Sequence, residues 1–320
     1  HNEFILTYGD IPATLEKIAS HFGEPFADPS ALPLYLLSEI TRKHVTVALN
    51  GDGGDDLLAG YMRYWLDPWA DAYIRLPNAL TKGLIPSILQ RLPDSGDRPI
   101  GHNLINGLKR LQQLTEIDHR ASILRWGSFF SPVQRQKLWK SEFWNESQSH
   151  NAEAILSSKF DALDDITGLD RTLYADIQTY LPGDLLVKSD RMTMAASLEG
   201  RSPFLDHHVA EFAARLPGKM KMHGRTGKYL LRKAFADMLP ENVLRHKKQG
   251  FGIPVGAWFR GPLASWSREY LLNVDAGMAE WFSLAAIEKL LSEHQDGYID
   301  HGKRIWALVM LSLWHESKNL

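Results

Sequence analysis

Strand-like apolar runs stop early in this chain, and helical spacing takes over. Residues 4–7 read as a short strand, Asp10 as a helix cap ahead of Pro12, and residues 14–22 as a helix that Gly23 ends. A second helix is predicted over residues 34–42. The compact β-branched run 45–49 has the character of a strand buried in a parallel sheet. A glycine-acid loop follows, then a predicted helix over 55–65. After Trp65 the spacing predicts helices over 70–76, 104–114, 152–163, 169–180, 206–215, 229–238, 285–294 and 303–316. The Pro, Asp, Ser and Gly cluster at 92–101 predicts a mobile loop, and no repeat at solenoid periods is present. The pattern predicts an α/β protein that is predominantly helical.

The loop lies within "VALNGDGGDDLLAGY" at 47–61. A glycine-rich loop that leaves a strand and opens a helix presents backbone N–H groups to phosphate oxygens. Asp52, Asp55 and Asp56 would repel phosphate unless a divalent cation lay between. Mg²⁺ takes one or two protein carboxylates and completes its shell with phosphate oxygens and water, so the pattern points to a metal-phosphate site. A calcium loop would need acids at alternate positions and a distal glutamate, and a dinucleotide fingerprint a different glycine spacing. A plain turn with Asp55 or Asp56 as helix-start acids stays open on these residues alone.

Composition narrows the classes. A chain of 320 residues with 44% hydrophobic content can bury a sizeable core. Its 36 basic and 38 acidic residues argue against a nucleic-acid footprint or an anionic membrane partner. With no cysteine, disulfides, thiolate catalysis and cysteine metal sites are excluded, and the cytoplasm is the simplest home. The apolar run 305–314 falls short of the roughly 20 residues that span a bilayer and reads as a buried helix. The start at His1-Asn2-Glu3-Phe4, without methionine or leader, reads as the middle of something longer.

A second polar constellation occupies "LPGDLLVKSDRMTMAASLEGRSPFLD" at 181–206, where Asp184, Lys188, Asp190 and Arg191 crowd together. Helical spacing puts Asp184 and Lys188 one turn apart, and Lys188 and Arg191 likewise. Taken alone, a solvated helix face is the simpler reading. A third stretch, "RHKKQGFGIPVGAWF" at 245–259, sets a basic run against a glycine-hinged aromatic loop and by itself reads as basic surface.

In this order, with "EPFADPSALP" at 24–33, "GRTGKYLLRKAF" at 224–235 and "KKQGFGIPVGAWFRGPL" at 247–263, these stretches closely resemble the synthetase domain of glutamine-dependent asparagine synthetases. The resemblance covers nearly the whole chain. It implies an adenine nucleotide α-hydrolase-like (ATP pyrophosphatase) core without its first strand-loop unit, carrying a large helical extension. Residues 1–65 would be the remnant of that core and 66–320 the helical region completing the active site.

The implied reaction is ATP-dependent amide formation: ATP adenylates the aspartate side chain, Mg²⁺-pyrophosphate leaves, and glutamine-derived ammonia gives asparagine and AMP. Asn50, Gly51 and Gly53 match the nucleotide-contacting loop, and Asp55 the metal-binding aspartate. Asp52 matches an acid facing the acyl-adenylate and incoming ammonia, and Lys248, or its neighbour Lys247, the lysine that offsets charge on the phosphates. Asp184, Lys188, Asp190 and Arg191 would line the amino-acid side, braced from behind by Glu199 and Arg201.

The family's serine-glycine-glycine-x-aspartate-serine loop and its cysteine-initiated glutaminase domain do not occur in these residues. They are expected before His1, and the 320 residues alone are expected to be inactive. Asn50 stands where serine is usual, Asp56 where glutamate is usual, and Gly200 precedes Arg201. The family also includes β-lactam-forming and peptide-cyclising enzymes. An amidotransferase acting on another sugar, peptide or natural-product acid is therefore one rival, and a catalytically silent helical binding module is another. A homodimer is a candidate assembly.

Overall fold

Asp10 accepts the Ala13 N–H at 3.3 Å, Pro12 lies in the first turn, and left-handed Gly23 (φ 75°) ends helix α1, Ile11–Phe22, as its punctuation predicts. Ile11, Leu15, Ile18, Ala19 and Phe22 form its buried stripe. The computed structural model describes residues 10–89, 127–147, 152–161, 168–246, 250–273, 278–297 and 299–318, with Glu3 and Lys109. The predicted strand 4–7, helix 104–114 (Lys109 apart) and loop 92–101 lie outside the described residues.

Helix α2, Ala31–Arg42, starts before its predicted bound because Pro33 sits in the first turn, where no N–H is required. Strand β1, Val47–Leu49, leads to α3, Gly54–Leu57, and α4, Met62–Ile74. Farther on come α5, Gly168–Gln178, α6, Val187–Ala195, and β2, Glu199–Arg201. Then follow α7, Tyr229–Ala234, α8, Val255–Arg260, α9, Leu284–Gln295, and α10, Gly302–Lys318.

The core gathers around α10, whose Ile305, Trp306, Leu308, Val309, Met310, Ser312 and Leu313 are buried on nearly every side. Helices α1 and α8 pack on it, and α6 lies against α1 and α2. The apolar run at 305–314 is thus a core helix, and no described helix is long and apolar enough to cross a membrane. The fold is the predicted one: predominantly helical, with a small remnant of an α/β core.

Three local expectations need correction. Strand β1 is not buried. Among the described residues it pairs only with β2, in parallel, Val47 opposite Glu199 and Leu49 opposite Arg201. With one partner strand and no covering layer over Val45 and Val47, Leu49 is 74% exposed.

The predicted helix 55–65 is two helices. Ala59 adopts φ 55°, and the Gly60 N–H returns to the Asp55 carbonyl at 2.8 Å. A Cβ at Gly60 would fall 1.9 Å from Asp55 Oδ1 and 2.6 Å from Lys228 Cε, so a side chain there would displace the Lys228–Asp55 pair.

The third correction concerns 181–191. A π-helical turn, Leu181–Leu186, feeds directly into α6, carrying Pro182 and Gly183 without a break. The resulting face is not uniformly solvated, because Lys188 is buried and pairs with Asp28.

Candidate active site

The loop after β1 is knitted by Asn50. Its backbone N–H continues the strand pairing to Arg201 O at 2.8 Å, while its Oδ1 accepts the Ser202 hydroxyl at 2.5 Å and the Asp52 N–H at 3.2 Å. The Asn50 amide also donates to Ser189 Oγ at 3.5 Å. Gly200, opposite Ala48, faces it: a Cβ there would touch Asn50 Nδ2 at 3.4 Å.

Gly53 turns the chain with φ 82°, and a Cβ on it would strike Leu205 Cδ2 at 2.1 Å. The "SPFLD" segment is thus pressed against the glycine-acid loop. Glu199 and Arg201 brace the loop through the β2 backbone, since their side chains are exposed and pair with each other at 2.8 Å.

Across the loop, Ser189 of α6 donates its hydroxyl to Asp52 Oδ2 at 2.6 Å. Immediately before Ser189, Lys188 pairs with Asp28, which also accepts the Ser30 N–H and hydroxyl at 2.9 Å each. Burial pushes the Asp28 carboxyl up, but the Lys188 ammonium and these hydrogen bonds hold it below the usual carboxylate range. Asp184 follows the opposite course. Burial and repulsion from Asp28 raise it to about 6, against the pull of Lys188, a hydrogen bond from Tyr180 and the charge of Arg63.

On the loop's other side, Lys228 Nζ meets Asp55 Oδ1 at 3.0 Å, and the Lys228 N–H donates to Leu58 O at 2.8 Å. Next along α3, Asp56 is fully buried. Desolvation, reinforced by Asp176 and Asp55 and opposed by Arg63, raises it to about 6. Beneath it, Arg63 Nε and Nη2 and the Tyr64 hydroxyl all donate to one oxygen of Asp176, at 3.1, 2.6 and 2.8 Å.

The first two constellations therefore meet: Asn50 and Asp52 touch Ser189, and Lys188 and Asp184 lie beside Asp28. Gly51 is exposed at the loop tip, and Asp190 and Arg191 are exposed on α6. Lys247 and Lys248 lie outside the described residues. Asp28, Ser189, Lys228, Arg63 and Asp176 were not singled out from sequence. Asp28 carried a signal, an acid two residues before Ser30 at a helix start, whereas Arg63 and Asp176 are joined only by the fold.

A hard divalent cation fits this donor set in one way. Asp55 Oδ1 already faces an ammonium, and carboxylate oxygen suits Mg²⁺. Among the described residues no three His, Asp or Glu side chains are grouped to hold a metal unaided, so most of the cation's shell would come from phosphate and water.

Known proteins resemble the chain over nearly its whole length. The family model for asparagine synthase matches residues 1–316. The chain is 34% identical over 304 residues to asparagine synthetase (glutamine-hydrolyzing) 1 of Bacillus subtilis (strain 168), covering 94% of this chain and 45% of the relative. It is 32% identical over 317 residues to a putative asparagine synthetase (glutamine-hydrolyzing) of Mycobacterium tuberculosis (strain ATCC 25618 / H37Rv), covering 98% and 46%. Amidase chyE of Penicillium rubens (strain ATCC 28089 / DSM 1075 / NRRL 1951 / Wisconsin 54-1255) is 23% identical over 320 residues, covering 87% and 44%. The chain spans less than half the length of each of these relatives.

Proposed function

The chain belongs to the asparagine synthase family, and from that premise we propose that it forms the synthetase part of an enzyme that makes asparagine from aspartate, ATP and glutamine-derived ammonia. The observation that carries this reading is the 2.6 Å hydrogen bond from Ser189 to Asp52, which closes the glycine-acid loop over the Asp184–Lys188 side. A nucleotide at the loop and an amino acid beside α6 would then share one boundary.

Asn50, Gly51 and Gly53 let the nucleotide approach the backbone closely. Asp55 would hold Mg²⁺, which when bound offsets negative charge on the pyrophosphate leaving group. The substrate carboxylate attacks the α-phosphorus, the bond to the β-phosphate oxygen breaks, and pyrophosphate departs. Ammonia then attacks the acyl carbon, the bond to the adenylate oxygen breaks, and AMP leaves. Asp52 would accept the ammonia proton.

Asp28 and Asp184 suit the α-ammonium of an amino-acid substrate, with Lys188 balancing their charge. Asp190 and Arg191, exposed on α6, would line that side, and Lys248 would offset charge on the phosphates. Ammonia and the remaining phosphate contacts would come from parts of a longer protein, with residues 1–65 and 66–320 both contributing to the site.

The test is to supply the full-length natural protein with Mg²⁺, ATP, aspartate and glutamine and to assay asparagine, AMP and pyrophosphate. Asp52→Asn and Asp55→Ala are each expected to lower turnover by roughly a hundredfold or more. The 320 residues by themselves are expected to release no pyrophosphate. ATP consumption with a different carboxylic acid, but not with aspartate, would move the assignment to amide formation on another acid. Failure to bind ATP at all would favour a binding module.

A further inference from the structure

Arg63 occupies a corner of aromatic rings between the two halves of the candidate site. Its guanidinium carbon lies 4.4 Å from the ring centres of both Tyr61 and Tyr180, which stand at 83° to each other. Burial works against its charge, but Asp176, only 1% exposed, takes both Nε and Nη2 on one oxygen and more than restores it. The guanidinium is thus fixed in place.

From that corner two contacts lead outward. Tyr61 reaches Asp56 Oδ2 at 3.4 Å, on the same short helix as Asp55. Tyr180, its ring centre 4.4 Å from the Arg63 guanidinium carbon, opens the π-helical turn, and its hydroxyl acts on the Asp184 carboxyl within that turn. Helix α5, which carries Asp176, also packs against both α3 and that turn. Arg63 therefore has rigid contacts toward each half and lies inside neither.

We propose that Arg63 is a positioning residue that couples the two subsites: through Tyr61 and Tyr180 it ties the nucleotide loop after β1 to the amino-acid side at Asp184. This rests on the reading that the loop takes ATP. The coupling requires a fixed cation with two aromatic contacts, which lysine supplies in part and methionine does not. ATP bound at 50–57 then tightens 181–186 before any acceptor acid arrives.

The experiment is amide hydrogen exchange followed by mass spectrometry on the full-length natural protein, with and without Mg²⁺ and ATP and with no acceptor acid. In the natural protein, ATP is expected to slow exchange both at 50–57 and, by roughly fivefold, at 181–186. Arg63→Met and Tyr180→Phe should keep the first protection and lose the second, while Arg63→Lys keeps the first and part of the second. A residue with only a structural role would alter exchange with and without ATP equally and leave that difference unchanged.

Protection at 50–57 with none at 181–186 in the natural protein overturns the coupling. So does protection at 181–186 that survives in the variants. Should Arg63→Met fail to fold, Tyr180→Phe decides, since it removes one hydroxyl and keeps the ring. Absence of protection at 50–57 in the natural protein defeats the nucleotide reading itself, which separates the two failures.

Discussion

Lys228 Nζ stands 3.0 Å from Asp55 Oδ1, so the carboxylate assigned to Mg²⁺ is held by a lysine at the start of α7. Both groups are largely shielded, with side-chain exposures of 26% and 13%. Removing the ammonium leaves Asp55 without this cation. Lys228→Met is expected to lower stability by about 1 kcal/mol, intermediate between exposed and buried pairs. Added Mg²⁺ should raise the melting temperature of the variant more than that of the natural chain. Parallel melting curves across a magnesium series would show this, and identical responses would count against Asp55 as a metal ligand.

Gly53→Ala combines a left-handed backbone with a collision at Leu205, so its cost should be on the order of 2 kcal/mol or more. Gly51→Ala meets nothing within 4 Å and is expected to be close to neutral. Urea denaturation of the two variants side by side provides the measurement, and equal midpoints would mean the loop does not rest on the "SPFLD" segment.

Asp184, raised to about 6 by burial and by Asp28, binds its proton more tightly in the folded chain than in the unfolded one. Its contribution to stability therefore falls as pH rises from about 4 through 6. Asp184→Asn should be more stable than the natural chain above pH 6, by on the order of 1–2 kcal/mol, with the gap closing near pH 4. The same variant should bind the amino-acid substrate poorly. A pH-independent difference in stability would refute the assignment of this carboxyl.

A histidine pair far from the loop behaves in the reverse sense. His294 Nδ1 accepts the His301 N–H at 3.0 Å, so its proton sits on Nε2 and is donated to Gly256 O at 3.0 Å, joining α8, α9 and the start of α10. His301 is lowered to about 4 by burial and by Arg304, against the pull of Glu293. The neutral ring is the folded form, so its stabilisation is complete above about 6.5 and is lost as pH falls toward 4. His301→Gln should be less stable than the natural chain at pH 7.5, with the difference shrinking by up to about 3 kcal/mol toward pH 4. Equal slopes of stability against pH would reject this.

Helix α1 was legible because all its signals are local: Asp10, Pro12, Gly23 and a repeating apolar stripe. So was α10, since an apolar run too short for a bilayer has to be covered by protein. The glycine-acid loop and the 181–206 stretch were legible as polar clusters, and their order along the chain carried the family resemblance. The bend at Ala59-Gly60 was not, because it is the Asp55 and Lys228 side chains, brought in by the fold, that crowd the Cβ position of Gly60. The pairing of Lys188 had no local sign, because its partner, Asp28, lies 160 positions earlier. Arg63 and Asp176, 113 positions apart, have no local signature at all. In each case the missing information was tertiary rather than periodic.

Val47 and Leu49 are exposed on β1 and Val45 just before it, and the far edge of that strand has no partner among the described residues. For anyone preparing these 320 residues by themselves, that edge governs solubility: an open apolar strand edge templates pairing with another chain. Association should grow with concentration, and a charge placed at the tip, as in Leu49→Lys, should suppress it while leaving the helical core intact. Light scattering of the two chains across a dilution series reads this directly, and it makes the strand that predicts catalysis in a longer protein the first obstacle to handling the shorter one.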